Sequence, residues 1–162
     1  MNEKTRLPRW IVIWLLISML IVFWDVTFVL FRPASFAEGA LGLIYIPYAK
    51  YIKIDTSYAD MNNAFVVAQS IMSLFEIALG LIALYLNYRR VFLAACLFAF
   101  SSQLLTATKT ILIFLLEIVG GMQHVGHNVI SDLILYYFMP NSVWIVLPFA
   151  VVIVLGRLLI IC

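Results

Sequence analysis

Four stretches of this chain, about Trp10 to Phe31, Asn63 to Leu86, Val91 to Val119 and Val129 to Ile161, are apolar with few charges. A helix rises about 1.5 Å per residue, so roughly 20 such residues cross the hydrocarbon core of a bilayer, and each stretch is long enough. Inside hydrocarbon every backbone N–H and C=O needs a partner within the protein, which makes helices the solution for runs of this length. The pattern predicts an all-α integral membrane bundle of four transmembrane helices, in one domain spanning residues 1–162. The composition agrees, at 65% hydrophobic and 11% charged against about 25% charged in soluble domains. The first run follows Lys4, Arg6 and Arg9, as a secretory leader would. It continues without a small-x-small cleavage site and is expected to be retained as a span.

Other classes find no support. Net charge is +2 with the basic residues scattered at helix ends, so no nucleic-acid partner is expected. Cys96 and Cys162 give neither a disulfide framework nor a metal cluster. His124 and His127 stand at a metal-like spacing but without a third ligand in view, and are expected to be loop or cap residues rather than a metal site. No nucleophile elbow, phosphate loop, HExxH or CxxC motif occurs, so neither a cofactor nor hydrolase chemistry is predicted. Without an internal repeat, four spans offer little basis for a transporter.

With four spans, the N-terminus, the tight turn Asn87–Arg90 and the C-terminus share one side. That side collects Lys4, Arg6, Arg9, Arg89, Arg90 and Arg157, whereas the other mixes Arg32, Lys50 and Lys53 with Glu38, Asp55 and Asp60. The positive-inside rule puts both termini in the cytoplasm. The one long connection, Arg32 to Asn62, carries LGLIYIPYAKYIKID, too short and interrupted to span. It is expected to form an interfacial or re-entrant segment covering one mouth of the bundle. In the fourth span, Pro140 is expected to kink the helix, with Asn141 and Ser142 as inward polar groups.

The polar residues inside the runs decide what the bundle encloses. Lys109 sits among Thr106, Thr108 and Thr110; an unpaired charge at a helix centre costs roughly 2.5 to 3.5 kcal/mol on insertion scales, so the lysine should face inward and have a partner. Gln103, Thr106, Lys109/Thr110, Ile113 and Glu117 recur on one helical face, as do Gln69, Ser73, Glu76 and Gly80. Counting from the span ends puts Asp25, Gln69 and Lys109 in one layer, within about 6 Å of one another in depth. Asp25 is therefore the expected counter-ion of Lys109. Glu76, Thr106 and Asn141 form a deeper layer with Ser73 and Trp144, where Glu76 has no evident lysine at its depth. Glu117 and Asp132 are expected at the boundary, partly solvated. Two facing stripes predict a cavity of mixed polarity lined by Asp25, Gln69, Ser73, Glu76, Thr106, Lys109, Asn141 and Trp144. Asp25 and Glu76 are the candidates for proton transfer. The plainer reading is an ion pair that fixes helix register.

The string Trp24-Asp25 … Arg32-Pro33, then Pro47-Tyr48 … Tyr51 … Asp55 … Tyr58, Gln69-Ser70 … Glu76, Thr108-Lys109-Thr110, Gly126-His127-Asn128 and Pro140-Asn141 … Trp144 … Leu147-Pro148 resembles the EXPERA superfamily. That group includes the emopamil-binding sterol isomerase and the sigma-2 receptor, and the likeness runs from about Trp10 to Arg157. It is strongest to a subgroup carrying the WD…RP and TKT…GHN…PN patterns. The resemblance implies a bundle in the endoplasmic reticulum or a similar membrane, enclosing a pocket for sterols or amphipathic amines. In the sterol isomerase, carboxylates and a histidine move the protons. Its first-span acid corresponds to Asp25, its histidine falls on Ile21 and its second-span glutamate on Gln69, which removes proton-transfer capacity. Two functions follow. One is a pocket for a sterol-like or other isoprenoid lipid, with or without isomerase-type acid–base chemistry. The other is a non-catalytic subunit that keeps the fold among protein partners in a membrane assembly.

Overall fold

The computed structural model describes residues 6–161. Among them the chain is helical without strands, and four helices are long and apolar enough to cross a membrane. α1 (Arg9–Leu30) starts at Pro8, and α2 (Tyr48–Ile54) is a short helix between two 3-10 turns, Gly42–Tyr45 and Thr56–Tyr58. α3 (Ala64–Tyr88) begins at Asn63, whose Oδ1 accepts the Val66 N–H at 3.2 Å as an N-cap, and α4 (Phe92–Val119) follows a tight turn. In that turn Arg90 takes a φ of 59°, and Asn87 Oδ1 accepts the Leu7 N–H at 2.8 Å. The N-terminal end is thereby tied to the α3–α4 turn. Lys4 lies outside the described residues.

The last span runs from Ile130 to Ile160. Its regular parts, α5 (Ile130–Asp132) and α6 (Met139–Ile161), flank a π-helical stretch, Leu133–Phe138. Pro140, where a kink is expected, lies just past this stretch: its ring crowds the preceding turn and supplies no N–H, and the turn before it is widened. Asn141 Nδ2 donates to the Tyr137 carbonyl at 2.8 Å, and Ser142 Oγ to that of Phe138 at 2.6 Å. Side chains thus satisfy backbone that the irregular turn sets free. A second proline, Pro148, lies buried inside α6.

α3 packs on both α1 and α4, and α4 also packs on α6. Toward the α3–α4 turn the bundle is filled by Ile11, Leu15, Met19, Ala83, Ala95, Cys96, Ala99, Val151 and Leu155. Small residues let the helices approach closely. At Gly80 a Cβ would stand 2.6 Å from Met19 Sδ, so α1 rests directly against the α3 backbone there.

At the other end the helices separate and residues 32–62 fill the mouth. Phe28, Val29, Tyr45, Tyr48 and Val66 form an aromatic core under this cap, with Phe28 stacked on Tyr48 at 3.8 Å. Arg32 is buried and anchors the cap through backbone oxygens. Its Nε donates to the Val29 carbonyl, and its Nη1 to those of Tyr58 and Asp60. Burial lowers its pKa from the ordinary arginine value.

The loop after α4 clamps the far end of α2. His127 Nε2 bonds the Lys53 carbonyl at 2.8 Å, and Asn128 Nδ2 donates to those of Ile54 and Val125. Thr56 donates its N–H and hydroxyl to the His124 carbonyl. The last carbonyls of a helix have no partner inside it, and the Gly-His-Asn segment supplies partners for two of them.

Candidate functional site

Between the cap and the packed half of the bundle lies a chamber of about 480 Å³, within the range typical of small-molecule sites, about 300 to 1,000 Å³. α1 contributes Ile21, Val22, Trp24 and Asp25; the cap contributes Tyr48, Tyr51, Ile54 and Tyr58. α3 supplies Gln69 and Ser73, α4 supplies Thr106, Lys109, Thr110 and Ile113, and the last span supplies Tyr136, Pro140, Asn141 and Trp144. Of the eight residues expected to line a cavity, all but Glu76 are on this wall.

Glu76 lies behind it and is the counter-ion of Lys109, in place of the Asp25 expected. Its Oε2 is 3.0 Å from Lys109 Nζ, which also donates to Ser73 Oγ; the side chains are 5% and 18% exposed. The reason lies in side-chain direction, which counting Cα levels ignores. The Ser102 hydroxyl donates to the Glu76 carbonyl and so sets the register of these antiparallel helices. Lys109, seven residues or about 10 Å further along α4, is level with Gln69. Helical side chains lean toward their own N-terminus. Lys109 therefore leans toward the α3–α4 turn and Glu76 leans the opposite way, and they meet across about two turns.

That pairing leaves Asp25 as the one carboxylate on the chamber wall among the described residues. It accepts from Tyr48 OH at 2.5 Å and from Tyr58 OH at 3.4 Å. Burial pushes the phenols of Tyr48, Tyr51 and Tyr58 above their ordinary value of 10.0, so they remain neutral donors. Tyr51 meets Tyr58 edge to face at 5.1 Å. Tyr48 and Tyr51 read from the sequence as part of an interfacial or re-entrant segment. The available signal was the i, i+3 pair Tyr48 and Tyr51, which puts two phenols on one face of a short helix.

Below, Trp144 packs against Trp14 at 5.6 Å, and Trp14 Nε1 donates to the buried Gln103 Oε1 at 2.6 Å. At the rim, Lys50 Nζ stands 3.5 Å from the centre of the Tyr136 ring, within reach of a cation–π attraction. The chamber thus offers an apolar, aromatic body, a carboxylate with phenol donors at the cap, and an ammonium already neutralised from behind.

Glu117 also differs from expectation. It is buried rather than partly solvated, and its carboxylate accepts from the His124 N–H at 3.1 Å and meets His124 Nδ1 at 2.6 Å. Asp132 is half-buried. Among the described residues no group of three His, Cys, Asp or Glu is placed to hold a metal. His124 and His127 are engaged by Glu117 and by the Lys53 carbonyl. Compared with protein-family models, curated proteins and solved structures, the chain shows no match.

Proposed function

We infer that this protein binds a sterol-like or other isoprenoid lipid in the chamber between cap and bundle, with the ligand's polar group at Asp25. The observation that carries the reading is a 480 Å³ cavity with aliphatic and aromatic walls and a few convergent polar groups, the usual composition of a small-molecule site. The resemblance to the EXPERA superfamily supports the same ligand class and an endoplasmic-reticulum membrane. Arg6, Arg9, Arg89 and Arg90, near the N-terminal end and the α3–α4 turn, support a cytoplasmic location for both termini.

Isomerase-type chemistry would rest on Asp25 and its phenol donors, because Glu76 is held by Lys109 behind the wall. The reading of a non-catalytic subunit in a membrane assembly leaves the polar lining of a chamber this size without a purpose. Lipid mass spectrometry on the protein purified in mild detergent tests the proposal. A stoichiometric isoprenoid lipid, reduced in Asp25→Asn and lost in Trp144→Ala, is the expected result. A folded protein that carries only bulk phospholipid, together with stable protein partners, would favour the subunit reading instead.

A further inference from the structure

A second cavity of about 230 Å³ abuts the chamber. Asp55, Ser57, Asn63, Gln123 and the Glu117–His124 pair line it, alongside Phe65, Val66 and Leu116, so that charged and polar groups stand among apolar ones as they do in the chamber. It lies between the cap, the start of α3 and the end of α4 with its following loop, and Gln123 at its edge is exposed. Tyr58, Gln69 and Ile113 line both cavities. The partition is therefore one side chain thick, and two of its three members are polar.

Tyr58 is placed to work across that partition. Its carbonyl is held by Arg32 Nη1 at 2.8 Å, its ring packs on Tyr51, and its hydroxyl points to Asp25 Oδ2 at 3.4 Å. Asp25 faces Tyr48 and Tyr58 from the cap, Lys109 from α4 and Glu76 from α3. Of these, Tyr58 alone also lines the second cavity, where Asp55, Glu117 and His124 stand. A chamber filled with lipid excludes water, so a carboxylate on its wall needs another route to exchange a proton. Chains of polar side chains serve that purpose within membranes.

We propose that the smaller cavity is a hydrated side chamber through which Asp25 exchanges protons with water by way of the Tyr58 hydroxyl. In the protonating direction, the Tyr58 O–H bond breaks as its proton bonds to Asp25 Oδ2. A proton from hydronium in the side chamber bonds to the Tyr58 oxygen, leaving water. Tyr58 ends as a neutral phenol and Asp25 as a carboxylic acid, so charge and atoms balance. Glu117 and His124 line the water side and stabilise the entering proton. This proposal rests on Asp25 being the working polar group of the lipid chamber.

Infrared spectroscopy of the full chain in lipid nanodiscs tests it. The carboxylic C=O band of Asp25 is identified by its loss in Asp25→Asn, and its shift is followed after transfer to D2O. Tyr58→Phe keeps the ring and is expected to slow that shift by about tenfold or more, in line with the loss of a positioned proton donor. Tyr48→Phe removes the other phenol partner of Asp25 but lines only the chamber, and is expected to slow the shift clearly less than Tyr58→Phe does. Gln123→Trp, which narrows the side chamber from an exposed loop and touches none of the Asp25 bonds, is expected to slow it as well. Unchanged exchange in both Tyr58→Phe and Gln123→Trp overturns the relay, as does equal slowing in Tyr48→Phe. The absence of any protonated Asp25 band overturns it too. Bound lipid is measured on the same samples: normal lipid with unchanged exchange refutes the relay alone, whereas no lipid in the native protein refutes the binding reading.

Discussion

The Lys109–Glu76 pair yields the sharpest prediction. Lys109→Met removes the ammonium and leaves Glu76, 5% exposed with its oxygen 3.0 Å from where the charge was, facing a thioether. Breaking a buried pair from one side costs about 3 to 5 kcal/mol, because the remaining charge has no compensation. Taking about 2 to 4 °C per kcal/mol for a chain of this size, the melting temperature in detergent should fall on the order of 10 °C. Adding Glu76→Gln removes the orphaned charge and leaves a neutral amide in its place. The double variant should therefore recover much of the loss, with a coupling of roughly 0.5 to 3 kcal/mol. The matching cycle of Lys109→Met with Asp25→Asn should come out near additive, since Asp25 is held by Tyr48 and Tyr58. Fluorescence-detected melting of the four proteins in each cycle provides the measurement. Strong coupling to Asp25 with none to Glu76 would refute the assignment and restore the pairing expected from helix depth.

Three further outcomes follow from the cap, the loop that clamps it and the chamber floor. Asp55 is buried, and burial raises its pKa above 3.8 although Ser57 N–H and Oγ donate to it. A carboxyl with a raised folded-state pKa contributes stability that is full below the unfolded value and is lost as pH rises through the folded one. Asp55→Asn, which can still cap the turn, should melt like the native protein near pH 3.8 and increasingly above it as pH rises. A pH-independent difference would contradict this. Asn128→Ala leaves the Ile54 and Val125 carbonyls without their donor, at a cost of about 1 to 3 kcal/mol. Hydrogen exchange read by mass spectrometry should then speed up over residues 48–58 and not within α3, and uniform acceleration would show that the loop does not clamp the cap. Trp144→Ala opens the chamber floor next to Trp14 and should release bound lipid, with the melting temperature falling because the stabilisation the lipid supplied is lost as well. Retention of the lipid would place its body elsewhere.

How much of this was legible beforehand depends on which property a residue had to reveal. The Gln69–Ser73 and Thr106–Lys109–Thr110 faces were readable because helical period alone brings them to one side. Asn141 was readable because a proline beside it frees backbone that needs a donor. The partner of Lys109 was not, because depth counting follows Cα atoms while a lysine acts from the end of a long stem that leans in a fixed direction along its helix. Glu117 was misplaced for a related reason: its burial comes from the 120–128 loop folding back over the end of α4, a non-local contact that no period encodes.

Hydrophobic length and backbone hydrogen bonding settled the helical class, the four spans and the existence of inward polar stripes, since lipid leaves a chain of such runs no alternative. Which carboxylate meets the ammonium, which phenols reach Asp25 and how the Gly-His-Asn loop grips the cap are questions of side-chain direction and contacts distant in sequence. Packing alone decided them, because burial and pairing are properties of neighbours, and neighbours are chosen only when the helices close on one another.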